Sequence, residues 1–139
     1  MANDLTAIGL RVEAREAIVA HARAEAPLEC CGLLLGAPKL VEDAHRAANI
    51  RQSPTTYLVD PGHHFGAIRR ARAEGRRVVG AYHSHPRSPA VPSPTDVREA
   101  HDRDFVYVIV SLADPRTPEV RGYRLVAEEL VEVPLVVVG

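Results

Sequence analysis

Apolar and polar positions along the chain change period several times, and each change predicts an element. Ile8 and Leu10, two apart within residues 5–12, predict a short first strand. Over residues 13–26 the spacing lengthens. Ala14, Ala17, Ile18 and His21 recur at three to four among charged residues, a helical pattern that Pro27 ends. Residues 29–36, Glu-Cys-Cys-Gly-Leu-Leu-Leu-Gly, read as a buried strand with one acid at its entrance. Residues 40–50 are mixed and predict a strand running into a loop around Ser53 and Pro54. Tyr57-Leu-Val59 predicts a further short strand. Asp60 and Pro61 then suit the N-cap and first turn of a helix through Phe65, Ile68 and Arg72 that stops at Gly75.

The apolar run 78–82 belongs to a strand predicted over residues 77–85. Residues 86–92 contain three prolines and predict a stiff, ordered loop. A helix over 93–102 follows, then strands over 105–112 and 120–127. Residues 130–138 close the chain as one more apolar strand, which Pro134 assigns to a sheet edge. Strand–helix alternation followed by a run of strands predicts an α/β (α+β) fold, a mixed sheet with helices packed against it. At 139 residues, with no repeat or linker, residues 1–139 are expected to form a single domain.

Composition removes several classes of function. Apolar residues make up 46% and charged residues 25%, which excludes a disordered chain. Aromatics are only 4% and Trp is absent, so the core must be built from Ala, Val, Leu and Ile. A formal charge of −1 offers no footprint for nucleic acid or an anionic membrane. No apolar run is long enough to span a bilayer, and Met1-Ala-Asn-Asp-Leu5 lacks the basic start and apolar run of a signal peptide. A cytoplasmic protein is expected. Cys30 and Cys31 are adjacent, cannot staple distant segments, and are expected to be small, buried, reduced thiols.

Candidate chemistry gathers at Gly80-Ala-Tyr-His-Ser-His-Pro86 and at Ser93-Pro-Thr-Asp96. On a strand, His83 and His85 project from one face. Two imidazoles and a carboxylate make a three-ligand set for a catalytic zinc whose fourth position is left to water. The same residues have plainer explanations. His-x-His occurs by chance, and Ser93 to Asp96 is a good helix start with Ser at the N-cap and Pro at the first position. Both readings of Asp96 stand on spacing alone, and they are compatible. Amide hydrolysis at such a zinc needs one more group to move a proton, and Glu29 is a candidate, although spacing shows only an acid before a buried strand. His63 and His64 are adjacent in a helix, so at most one could join a site. His21, His45 and His101 have no partner at ligand spacing.

Pro27-Leu-Glu-Cys-Cys-Gly-Leu-Leu-Leu-Gly36 and the His-Ser-His-Pro run with Ser93 and Asp96 resemble the JAMM (MPN-plus) metalloproteases. Their signature is Glu, a variable gap, His-x-His, seven residues, Ser, two residues and Asp, and it is complete here. Tyr57-Leu-Val-Asp-Pro61 is similar to the family's segment ahead of the metal strand, so most of the chain is covered. The resemblance implies a cytidine-deaminase-like three-layer fold with a curved mixed sheet. It implies His83, His85 and Asp96 as zinc ligands, Glu29 as general acid/base, and Ser93 as the hydroxyl that stabilises the oxyanion.

The short chain resembles the minimal stand-alone prokaryotic members. It leaves little room for the insertions with which eukaryotic members grip ubiquitin. The implied substrate is a ubiquitin-like or sulfur-carrier protein with a Gly-Gly tail, lying extended along the sheet beside the histidine strand. Three alternatives remain: a zinc-containing binding module without catalysis, a nucleobase deaminase, and a DNA-repair relative. A deaminase would need His-x-Glu and Pro-Cys-x-x-Cys, which do not occur, and the near-zero charge argues against DNA. The apolar C-terminal strand could pair across a homodimer.

Overall fold

The computed structural model describes residues 5–139; the first four residues, on which the signal-peptide expectation partly rests, lie outside the described part. The elements in chain order are β1 (Ile8–Arg11), α1 (Val12–Glu25), β2 (Cys31–Ala37), β3 (Leu40–Ala47), α2 (Pro61–Ala73), β4 (Arg77–His85), α3 (Pro94–Glu99), β5 (Val106–Ser111), β6 (Glu119–Val126), β7 (Glu129–Val133) and β8 (Leu135–Val138). All eight strands form one mixed sheet in the order β7-β6-β5-β4-β2-β3-β1-β8. β1 runs parallel to β3 and β8, and β4 parallel to β5; the other pairs are antiparallel.

The two edge strands, β7 and β8, are separated in sequence by Pro134 alone. The chain therefore leaves one edge and joins the other within one residue, which requires a sheet curved until it nearly closes. A side chain at Gly122 of β6 would come within 2.7 Å of Leu135 of β8, so the ends do meet. The single C-terminal strand expected over 130–138 is thus two strands. Pro134, which has no N–H to pair, marks the corner between the two edges.

Side-chain alternation separates two cores. Ile8, Leu10, Leu34, Val41, Tyr82, Val106 and Val108 pack with Ala14, Ile18 and Ala22 of α1 inside the curve. Cys31, Leu33, Leu35 and Ala81 pack with Ala67 and Ala71 of α2 on the outer face. Helix, sheet and helix make the three layers expected. Gly80 permits the close approach of β4 to β5, since a Cβ there would lie 2.1 Å from the Val106 carbonyl oxygen.

Two further expectations change. Tyr57-Leu-Val59 is not a strand; only the single bridge between Asn49 and Val59 forms, in a segment tied down by side-chain bonds. The helix expected over 93–102 ends at Glu99. Ala100 turns extended, and the Tyr107 hydroxyl takes the N–H groups of His101 and Asp102 at 3.2 and 2.9 Å in place of a further helical turn.

Candidate metal centre

β4 alternates its side chains, so Tyr82 and Ser84 enter the inner core while Ala81, His83 and His85 face the α2 side. Cys31 pairs with His83 across the β2–β4 ladder, and Ser84 N–H donates to the Cys30 carbonyl at 3.1 Å. Continuing that register sets Glu29 opposite His85. This explains how an acid 54 residues upstream of His83 joins the pair. Asp96 arrives from α3, where Ser93 and Asp96 form a reciprocal capping box. Asp96 N–H donates to Ser93 Oγ at 3.0 Å, and Ser93 N–H donates to Asp96 Oδ2 at 2.9 Å. The cap therefore supplies two of the candidate site residues, and the first helical turn holds the Asp96 carboxylate in place.

The donor atoms converge. Asp96 Oδ2 lies 3.1 Å from His83 Nε2 and 3.0 Å from His85 Nε2, and the two Nε2 atoms are 3.2 Å apart. Among the described residues these three form a buried group whose ligand atoms all lie within 4.8 Å of one another. The His85 Nδ1–H donates to the Pro89 carbonyl at 2.8 Å. A carbonyl only accepts, so Nδ1 carries the proton and Nε2 of neutral His85 presents a lone pair to Asp96. Lone pairs facing lone pairs call for a proton or a cation between them, and two nitrogens with one oxygen are ligands that zinc accepts. The residues fit a metal.

Electrostatics agree. Burial pushes His83 below its ordinary pKa and keeps it neutral. Burial also lowers His85, but the Asp96 carboxylate and the Pro89 carbonyl outweigh it and raise the net value. Burial opposes ionisation of Asp96, yet its contacts with both imidazoles hold the carboxyl far below the usual range. Glu29 is 4% exposed, and its Oε1 is buried with no hydrogen-bond partner. Burial raises its pKa to about 8, with His85 pulling it down and Asp96 pushing it up. Ser93 Oγ uses a lone pair on Asp96 N–H, which leaves its own proton free to donate.

The whole motif comes together: Glu29, His83, His85, Ser93 and Asp96. The chain matches the prokaryotic homologs of the JAB domain over residues 11–126. It belongs to that family. It is 39% identical over 132 residues to the CysO-cysteine peptidase of Mycobacterium tuberculosis, a match covering 93% of this chain and 90% of the relative. It is 37% identical over 111 residues to the desampylase of Haloferax volcanii, covering 75% and 80%. The solution structure of DSY2949 from Desulfitobacterium hafniense superposes with a TM-score of 0.87 at 34% identity, covering 94% of this chain and 92% of that one.

The remaining histidines stay outside. His21 Nδ1 meets the Tyr82 hydroxyl at 2.7 Å, His63 Nδ1 accepts from Ala48 N–H at 2.8 Å, and His45 lies 3.3 Å from Arg70. Both cysteines are free and buried. Sequence reasoning missed three supports. Tyr57 stacks on His83 with ring centroids 4.3 Å apart and planes 19° apart. Pro89 fixes the His85 tautomer, and its loop is itself anchored by the Ser111 and Tyr123 hydroxyls on the Ser88 and Ala90 carbonyls. The proline-rich stretch was the only signal for the second of these, and nothing in the spacing pointed to the first.

Proposed function

We propose that the protein is a zinc-dependent (iso)peptidase that hydrolyses an amide bond at the C-terminal tail of a ubiquitin-like or sulfur-carrier protein. Residues 1–139 are read as one JAMM/MPN-plus domain. The observation that carries the reading is the convergence of His83, His85 and Asp96 beside Glu29, a buried carboxylate without a partner. His83, His85 and Asp96 would hold one zinc ion, which when bound polarises a carbonyl and lowers the pKa of a water towards about 7.

Glu29 takes a proton at its carboxylate and returns it to the leaving nitrogen. A pKa raised to about 8 suits a group that must both accept and donate near neutral pH. Ser93 directs its free hydroxyl proton at the developing oxyanion. β4 is paired on both sides, by β2 and β5, so the tail cannot add to it as a strand. The tail instead crosses the face that carries the histidines. A Gly-Gly end suits that approach because it brings backbone close without side chains.

The names of the relatives support a peptidase acting on protein conjugates. Buried free thiols suit a cytoplasmic location, and no helix among the described residues is long and apolar enough to cross a membrane. A homodimer would pair across the β8 edge, where Val136 and Val137 are exposed. The test is mass spectrometry of a carrier fusion incubated with the protein, with and without chelator. Cleavage after the tail that stops on chelation is expected. An intact fusion alongside stoichiometric zinc would favour a binding module instead.

A further inference from the structure

The segment after β3 is organised by one side chain. Asn49 Nδ2 donates to the Glu29 carbonyl at 3.1 Å and to the Thr56 carbonyl at 3.0 Å. Its Oδ1 accepts from Arg51 N–H at 3.1 Å and from Leu58 N–H at 3.0 Å. A carboxamide offers two donor hydrogens and two lone pairs, so its capacity is filled. Glu29 is also held through its own N–H, which donates to the Ser53 carbonyl at 2.8 Å. Both backbone polar groups of the proposed acid/base thus belong to bonds with the 49–59 segment.

The same segment carries Tyr57. It lies between Thr56 and Leu58, the two residues whose backbone Asn49 grips, and its ring covers His83. Arg51, whose N–H Asn49 also accepts, reaches Glu99 of α3 at 2.8 Å and so ties the segment to the helix that supplies Asp96. A side chain serving only its own turn would bond Arg51 and Leu58. The bond to Glu29, twenty residues earlier, adds nothing to that turn.

We propose that Asn49 is a positioning residue that holds the backbone of Glu29 and the Tyr57–His83 stack in one frame. The proposal rests on the roles assigned above to Glu29 and His83. Asn49 does not touch the reacting atoms; it acts through the two residues it aligns.

The test uses Asn49→Ala and Asn49→Asp in the full chain. Asn49→Asp keeps the shape and the acceptor but replaces the donor, so it carries the test if Asn49→Ala does not fold. Amide hydrogen exchange on the metal-free protein is expected to show the Glu29 N–H exchanging about tenfold faster or more, with the β4 amides unchanged. On a carrier fusion kcat is expected to fall about 100-fold with KM and zinc stoichiometry retained, as for a group displaced by about 1 Å. In a Glu29→Gln background Asn49→Asp should cost much less than in the wild type, because the part of its effect that passes through Glu29 is already lost. An unchanged Glu29 amide, or an equal loss of kcat in both backgrounds, would overturn the assignment. Failure of the wild-type protein to cleave any fusion would instead count against the proposed activity, and the exchange measurement would still decide the role of Asn49.

Discussion

Ser93→Ala and Ser93→Gly remove the same hydroxyl but leave different helix starts. In the folded protein Ser93 Oγ accepts Asp96 N–H at 3.0 Å as the N-cap of α3. Losing that acceptor to Ala costs about 1 kcal/mol of stability, whereas Gly at an N-cap costs only a few tenths, about 0.3 kcal/mol. If the hydroxyl proton also stabilises the oxyanion, either variant loses about 100-fold to 1,000-fold in kcat, or about 3 kcal/mol of transition-state stabilisation. The two roles therefore separate: the variants should differ in stability and agree in activity. Thermal unfolding of the zinc-loaded proteins and turnover of a carrier fusion, measured well below either midpoint, provide the comparison. Ser93→Gly with near wild-type kcat would reduce Ser93 to a helix cap and refute the oxyanion role.

Further outcomes follow from the same geometry. His83→Ala and His85→Ala should abolish the stabilisation that saturating zinc gives the wild type, about 4 kcal/mol at a thousandfold excess over Kd, as read by thermal shift with and without chelator. His21 is buried against Tyr82 with its pKa lowered to about 4, by burial first and then by Arg46. Because the unfolded chain binds that proton from about pH 6.5 downwards, His21 contributes stability above pH 6.5 that is lost as pH falls towards 4. The contribution is about 3 kcal/mol, and denaturation at a series of pH values should show the slope flattened in His21→Gln. Gly80→Ala forces a Cβ against the Val106 carbonyl and should cost about 1–3 kcal/mol in chemical denaturation while weakening zinc retention, since β4 carries both histidines.

Much of the site was legible before the fold was known, but for different reasons at different residues. His83 and His85 follow from strand alternation, a local rule. Ser93 and Asp96 follow from capping chemistry, also local, and the cap proves to be the device that aims the carboxylate. Glu29 was legible only through its resemblance to a family pattern. The register that sets it opposite His85 depends on pairing between β2 and β4, which no local period encodes. Asn49 left no signal of its own, because a carboxamide that grips four backbone groups looks like any loop asparagine, and Tyr57 read as part of a short strand rather than as a ring against His83. For the fold, the period changes located nearly every element. They missed the break at Pro134, where β7 and β8 read as one apolar run although they occupy opposite edges of the sheet.

In the proposed reaction Glu29 moves the proton at a zinc held by His83, His85 and Asp96. Glu29→Gln keeps the size and removes the basicity, so metal content and turnover measured on the same preparation separate binding from chemistry. One zinc per chain with kcat reduced about 100-fold to 10,000-fold is the expected outcome. Wild-type turnover in the zinc-loaded Glu29→Gln protein would contradict it.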